Sequence, residues 1–345
     1  MFSATFGSVE VGVIYAIMAL GVYLSFRILD FPDLTVDGSF VTGAATAATL
    51  ITLGYNPVFA TGAAIILGFV AGSITGVLHT KGGINPLLSG ILMMTALYSI
   101  NLRVMGTTST TASRPNIPLL NVETIFTPVE NLAASLGINT FFNNIFGSMG
   151  VKILPTDYGV IFIMIVITLL VKVITDILLK TEVGLAIRAT GDNQRMIRSF
   201  SGNTDYLIVI GLGVSNAFVA LSGALIAQYQ GSADVTMGVG MIVTGLASVI
   251  IGEAIFGTKS IVRTTFAVIG GAIIYRMVVG WALQFKILNA SDMKLITATI
   301  VILALILPKV IDKQKEKRRK LKRHNEMLAN IEMKEGDGVA TSKGD

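Results

Sequence analysis

The chain has 345 residues, of which 52% are apolar and only 14% are charged, with a mean hydropathy of +0.73. Soluble domains carry roughly 25% charged residues, so a soluble fold is excluded. Cysteine is absent, which removes disulfides, thiol catalysis and Cys-ligated metals. The net charge of +5 does not mark a nucleic-acid binder, because nine Lys/Arg from Lys309 to Arg323, against Asp312 and Glu316, exceed it on their own.

Apolar runs near 20 residues have the length to cross a hydrocarbon core about 30 Å thick as helices, and the short alternating segments of a membrane β-barrel are missing. The pattern predicts an all-α polytopic membrane protein with about nine transmembrane helices. The first span covers Gly7 to Phe26 and ends at Arg27. It lacks the basic lead and small-residue cleavage site of a signal peptide. The second covers Gly38 to Leu53 and stops at Gly54-Tyr55-Asn56-Pro57; the third runs from Val58 to Leu78 and the fourth from Ile84 to Met105. A polar interval, residues 107–155, follows with Pro115, Pro118, Pro128 and Pro155. Within it, Leu132 to Phe146 has an apolar face suited to a short interfacial helix. The fifth to ninth spans are read at 157–179, 206–227, 235–256, 261–282 and 293–308. The fourth and seventh are interrupted by Gly or Met and are candidates for broken helices.

Lys/Arg placement sets the orientation. If the basic tail is inside, the inner connections hold Arg27, Lys81, Lys180, Arg188, Arg195, Arg198, Lys259 and Arg263. The outer ones hold Arg103, Arg114, Lys152, Lys286 and Lys294. The bias predicts the N-terminus outside and the C-terminus inside. Residues 1–309 then form a transmembrane domain with 107–155 extracellular and 181–205 cytoplasmic. Residues 310–345 are a basic cytoplasmic tail, disordered from Gly336 onward.

The loop 181–205 is the leading site candidate: it is polar, basic and helical in pattern, as for contact with a soluble partner. Its middle, Val183 to Ser201, is expected to form one short helix at the membrane surface. Gly184, Ala186 and Ala189 permit close approach, while Arg188, Arg195 and Arg198 offer directed hydrogen bonds. Arg188 and Arg195, seven apart, would share a face. Anchoring at lipid headgroups is the plainer reading of these arginines.

Charges at membrane depth are functional candidates by default. Asp30, Asp33 and Asp37 fall at the inner end of span two, where capping and gating compete with solute contact. Glu253 sits in an apolar run and either serves the pathway or pairs with Arg263 or Lys259. Arg276 either faces the pathway or pairs within the bundle. Met237 and Met241, in the Gly-rich stretch 237–246, and Tyr98, Tyr229 and Tyr275 are pathway candidates that core packing explains equally. Gly68, Gly72 and Gly76 repeat every four residues and predict a close helix crossing. Residues 252–260 nearly spell a phosphate-binding loop, but Thr258 separates Gly257 from Lys259 and the register fails. His79 and His324 stand alone, so no metal site is expected.

Several of these strings resemble the branched-chain amino acid permease family of ABC importers. They are Arg188-Ala189 with Asn203-Thr204-Asp205, and residues 12–21, Gly-Val-Ile-Tyr-Ala-Ile-Met-Ala-Leu-Gly. Phe31-Pro32-Asp33-Leu34-Thr35-Val36-Asp37-Gly38, within residues 27–43, resembles a narrower branch of tryptophan/tyrosine-type uptake permeases. The similarity covers about residues 8–308. The family loop usually has Ala near 197 and Gly near 201, where this chain has Ile197 and Ser201. The resemblance implies a type II-like permease bundle in a prokaryotic plasma membrane, dimeric with a second permease copy and not itself an enzyme. Two cytoplasmic ATPases would bind the ATP, so no cofactor is expected in this chain. An extracellular solute-binding lipoprotein would deliver a small solute, expected to be an amino acid and, on the narrower branch, an aromatic one. The resemblance assigns ATPase coupling to Gly184, Ala186, Arg188, Ala189, Asn193, Arg195 and Arg198. The competing class is an ion-coupled secondary transporter; a channel would need a filter sequence that is not apparent.

Overall fold

The computed structural model describes residues 2–107, 115–120, 122–137, 139–140, 142–143 and 158–282, together with 298, 299, 302 and 306. In chain order the helices are α1 (Phe2–Val22), which continues as a π-helical turn over Tyr23–Ile28, α2 (Thr35–Thr52), α3 (Pro57–Thr80) and α4 (Pro86–Gly106). Strand β1 (Asn116–Pro118) and α5 (Thr127–Ser135) precede α6 (Gly159–Lys180), α7 (Glu182–Asp192), α8 (Gln194–Ser199) and α9 (Thr204–Gln230). Then come β2 (Ser232–Asp234), α10 (Met241–Phe256) and α11 (Ile261–Ala282). The expected ninth span and the basic tail lie essentially outside the described residues.

Six of these helices are long and apolar enough to cross a membrane: α1 with its π turn, α3, α4, α6, α9 and α11. α10, the expected seventh span, has only 16 residues, about 24 Å at 1.5 Å per residue, short of the hydrocarbon thickness. Residues 235–240 are turns rather than helix, and Gly240 enters α10 at φ 84°. The expected interruption is real there, whereas α4 is continuous. α2 is rich in Thr and Ala and is buried on nearly every side.

Helix starts follow local chemistry. Asn56 and Asn85 each precede a proline at the first helical position, and their side chains accept from Val58 N at 2.8 Å and Leu87 N at 3.0 Å. The missing proline N–H is one that needs no helical partner. Asn203 caps α9 by accepting from Tyr206 N at 3.1 Å, and Gly231, at φ 69°, ends it. Of the helix expected over Leu132–Phe146, the first part belongs to α5, which begins at Thr127 with Pro128 in its first turn and ends before Gly137 at φ 66°. Residues 139, 140, 142 and 143 are again helical, and the remainder lies outside the described residues.

α1 and α9 form the buried centre. α9 packs on α3, α2 and α1, and α1 also meets α6, α10 and α11. The α9 crossings are backbone to backbone. A Cβ on Gly72 would lie 2.2 Å from Leu212 O, and Gly68 and Gly76 of α3 face Ala220 and Val209 of α9. The four-residue glycine repeat therefore serves packing within the chain. On the other side a Cβ on Gly43 would meet Ala220 O at 1.9 Å, and one on Gly223 would meet Phe40 O at 2.0 Å. Ser215 Oγ donates to Gly21 O at 2.7 Å and Ser222 Oγ to Ile14 O at 2.9 Å, tying α9 to α1 where no water competes.

Gly43→Val therefore forces α2 off α9. Overpacking costs about 1–3 kcal/mol or more, and thermal unfolding in detergent is expected to drop accordingly. Gly62→Val, on α3 with open space around it, leaves the transition unchanged.

Candidate functional site

The string Phe31 to Gly38 makes the break between the π turn and α2. Asp33 is fully buried and accepts from Asn216 Nδ2 at 2.6 Å and from Thr35 N at 2.9 Å. Thr35 and Thr75 share a hydroxyl bond at 2.8 Å. Asp33 thus joins the start of α2 to the middle of α9. Asp37 lies past the start of α2 and reaches α10, where its carboxylate accepts from Gly240 N at 2.9 Å and Ile242 N at 2.8 Å. Its neighbour Gly38 abuts Met94 and Leu97 of α4, eight and eleven residues beyond Pro86, or about 12–17 Å along that helix. Asp37 therefore sits well inside the bundle rather than at its edge, and caps a helix that starts there. Asp30 is exposed and takes φ 52°.

Beside this cap is a cavity of about 300 Å³ lined by Asp37, Gly38, Val41, Met94, Tyr98 and Val239, among others. Tyr98, one of the aromatic pathway candidates, opens onto it. Met237 and Met241 are half-buried against the apolar core, and Tyr275 is a buried core side chain.

A second, polar cavity of about 290 Å³ lies at the end of the bundle that carries the 181–205 loop. It is lined by Tyr23, Arg27, Arg188, Asp192, Glu253 and Lys259, among others. Glu253 pairs with Arg27 of the π turn, Nε to Oε1 at 3.0 Å, and not with Arg263 or Lys259 as expected. Arg263 Nε instead donates to Phe256 O at 2.7 Å. The signal for Arg27 was its place at the end of the first apolar run. The near phosphate-loop string is the end of α10: Gly257, at φ 76°, stops the helix.

The loop itself folds as two helices and not one. α7 ends at Asp192, and Asn193, in an extended conformation, caps α8 by accepting from Met196 N at 3.1 Å. Arg188 and Arg195 consequently sit on different helices; Arg188 faces the polar cavity and Arg195 is exposed. Gly184 packs on Leu178 O and Gly191 on Ile28 O, so closely that a Cβ at either glycine would clash, at 1.9 Å and 2.1 Å. Ala186 packs with Leu29 and Ile187, Ala189 is half-buried, and Arg198 bonds Thr204 Oγ1 at 2.8 Å and Asp205 at 3.2 Å. Val183, Leu185, Met196 and Phe200 are exposed apolar side chains, Phe200 at 77%. Ser201 occupies φ 62°, a conformation that favours the glycine of the family pattern.

Arg276 lies over the Tyr15 ring, Cζ to centroid 4.0 Å, a cation–π contact that answers its charge inside the bundle. Nearby, Tyr229 donates to buried Glu10 at 2.8 Å. Sequence reasoning passed over Glu10, and also the buried pair Lys172–Asp176 on α6. Thr265 Oγ1 of α11 donates to Asp176 at 2.7 Å, and Lys172 Nζ lies 3.9 Å from the Phe266 ring centroid. The i,i+4 spacing of Lys172 and Asp176 inside an apolar run was the available signal. His79 is structural, with Nδ1 2.7 Å from Ile84 O and its ring against Phe31.

Lys172→Met strands the Asp176 charge, and removing one partner of a buried pair costs about 3–5 kcal/mol. The Lys172→Met/Asp176→Leu double variant is expected to recover most of that loss in a thermal unfolding cycle. At the β1–β2 ribbon, partial burial acts to raise the Asp234 pKa, but the Thr236 hydroxyl and amide and the Asn116 amide outweigh it and hold it below the ordinary value. A depressed carboxylate contributes stability that is present above its unfolded pKa of about 3.9 and lost as pH falls through the folded value. Asp234→Asn should flatten that acid limb of the stability–pH curve.

The family model described as branched-chain amino acid transport system / permease component matches residues 4–307. The chain is 40% identical over 289 residues to the tyrosine transport system permease protein of Clostridioides difficile (strain R20291), covering 84% of this chain and 86% of that one. It is 32% identical over 304 residues to an uncharacterised protein of Rickettsia prowazekii (strain Madrid E), covering 86% and 95%. The ribose import permease protein of Escherichia coli (strain K12) is 26% identical over 237 residues, covering 69% and 65%. The chain is a multi-pass membrane transporter subunit and belongs to the permease-component family of branched-chain amino acid transport systems.

Proposed function

We propose that this chain forms the translocation pathway of an ABC importer for an amino acid, with an aromatic one such as tyrosine favoured by the 40% identical relative. The observation that carries the reading is the 181–205 loop. Its outer surface presents Val183, Leu185, Arg195, Met196 and Phe200, while Gly184, Ala186 and Gly191 press its inner surface onto α6 and the π turn. Such a two-faced element suits a lever held by a separate cytoplasmic ATPase. Arg188 and the Arg27–Glu253 pair line the polar cavity beneath it, so lever movement bears directly on the mouth of the pathway.

In this reading residues 1–309 are the permease domain with nine helices, the N-terminus outside and the C-terminus inside a prokaryotic plasma membrane. A second copy completes the pathway, and a solute-binding lipoprotein delivers the solute to the face carrying the β1–β2 ribbon. The ATPases bind the nucleotide. The exposed apolar faces of α3, α4 and α6 are available to lipid and to that second copy.

Right-side-out membrane vesicles loaded with ATP are expected to accumulate labelled tyrosine, and vesicles with an ion gradient but no ATP are not. Phe200→Ala with Arg195→Ala should cut uptake at least tenfold while leaving thermal unfolding within a degree or two. Uptake that follows a Na⁺ or H⁺ gradient without ATP would instead establish the secondary-transporter reading, which draws on the helix beginning inside the bundle.

A further inference from the structure

The buried polar side chains of the cavity beside the Asp37 cap offer acceptors. Asn101 is 1% exposed and donates Nδ2 to Gly38 O at 3.3 Å. A carbonyl only accepts, so the amide nitrogen must face it. That turns Asn101 Oδ1 away, and this buried oxygen, in a side chain that lines the cavity, has no partner among the described residues. Thr95, also lining it, gives its hydroxyl proton to Ile91 O at 2.9 Å, which leaves lone pairs as its offering. Asp37 spends contacts of both carboxylate oxygens on the amides of α10, and a carboxylate has about four lone-pair sites. Three acceptors thus line one cavity, and no Lys, Arg or His is among its lining residues. The rest of the wall is apolar, Val41, Met94, Val235 and Val239, apart from the Tyr98 ring with its phenol hydroxyl.

An unpaired buried acceptor costs about 1–3 kcal/mol, so an occupant with matching donors is favoured at this point. A primary ammonium has three donors and no acceptor. Free solute carboxylate finds no cation here and must point toward the open side. We infer that this cavity holds the ammonium end of an amine with an apolar or aromatic body, with Asn101 Oδ1, Asp37 and Thr95 as acceptors and Met94 and Tyr98 against the body. The inference rests on the importer reading only for its biological meaning; the binding chemistry is testable without transport. It makes this the point at which the amino end of the solute is recognised within the permease.

The chain has no cysteine, so a single Val239→Cys places one reporter thiol at the cavity wall. In the full-length chain in lipid nanodiscs, labelling by a thiosulfonate reagent should be slowed at least fivefold by tyramine and by tyrosine. The isosteric acid 3-(4-hydroxyphenyl)propionate, which lacks the ammonium, should not slow it. Adding Asn101→Leu should abolish the tyramine effect. Equal protection by amine and acid, no protection by either, or protection that survives Asn101→Leu would each overturn the assignment. If Asn101→Leu does not fold, the amine-against-acid comparison in Val239→Cys alone still decides. Labelling needs no ATP, so failure here is distinct from failure of ATP-driven uptake.

Discussion

A helix that begins inside a bilayer presents N–H groups that lipid leaves without partners, and each costs several kcal/mol. α10 begins inside the bundle, and the Asp37 carboxylate answers its free N–H groups with two bonds, from Gly240 N and Ile242 N. The arrangement satisfies two needs at once: the free N–H groups gain acceptors, and a buried carboxylate gains the positive end of a helix dipole. Everything around it follows from keeping α2 and α10 in that register. Asp33 fixes the start of α2 to Asn216 of α9, and the turns over 235–240 that lead into α10 border the cavity beside the cap.

Holding a polar break in place calls for walls that do not yield. The glycine contacts supply them: α9 meets α2 and α3 with main chain against main chain, at separations that admit no side-chain rearrangement. Van der Waals packing drives helix association in lipid where hydrophobic burial cannot. The same logic recurs between α10 and α11, where Gly252 and Gly271 sit against Ala267 O and Ser248 O. The centre of the bundle is therefore closely packed, main chain against main chain.

Much of this was legible in the residues. Six of the eight expected spans up to residue 282 are helices long and apolar enough to cross a membrane, because lipid imposes one periodicity-free requirement, length; α2 and the 16-residue α10 do not reach that mark. The every-fourth glycines on α3 read directly as a crossing. What did not read out depends on partners far apart in sequence. Glu253 had two nearby cations, yet its partner is Arg27, 226 positions away. Asp37 looked like part of the inner edge because its acceptor role exists only once α10 arrives beside it. The loop read as one helix because Asn193 is compatible with a helix interior by pattern; its side chain instead competes for the backbone and starts a second helix, as short polar side chains do. Lys172 and Asp176 were hidden in an apolar run that their mutual pairing makes tolerable.

Gly191 lies directly on the Ile28 carbonyl, with no side chain interposed. Apart from the side chains of Leu29 and Ile187 beside it, α7 thus meets the wide turn bearing Tyr23 and Arg27 main chain to main chain, so a tilt of α7 displaces that turn.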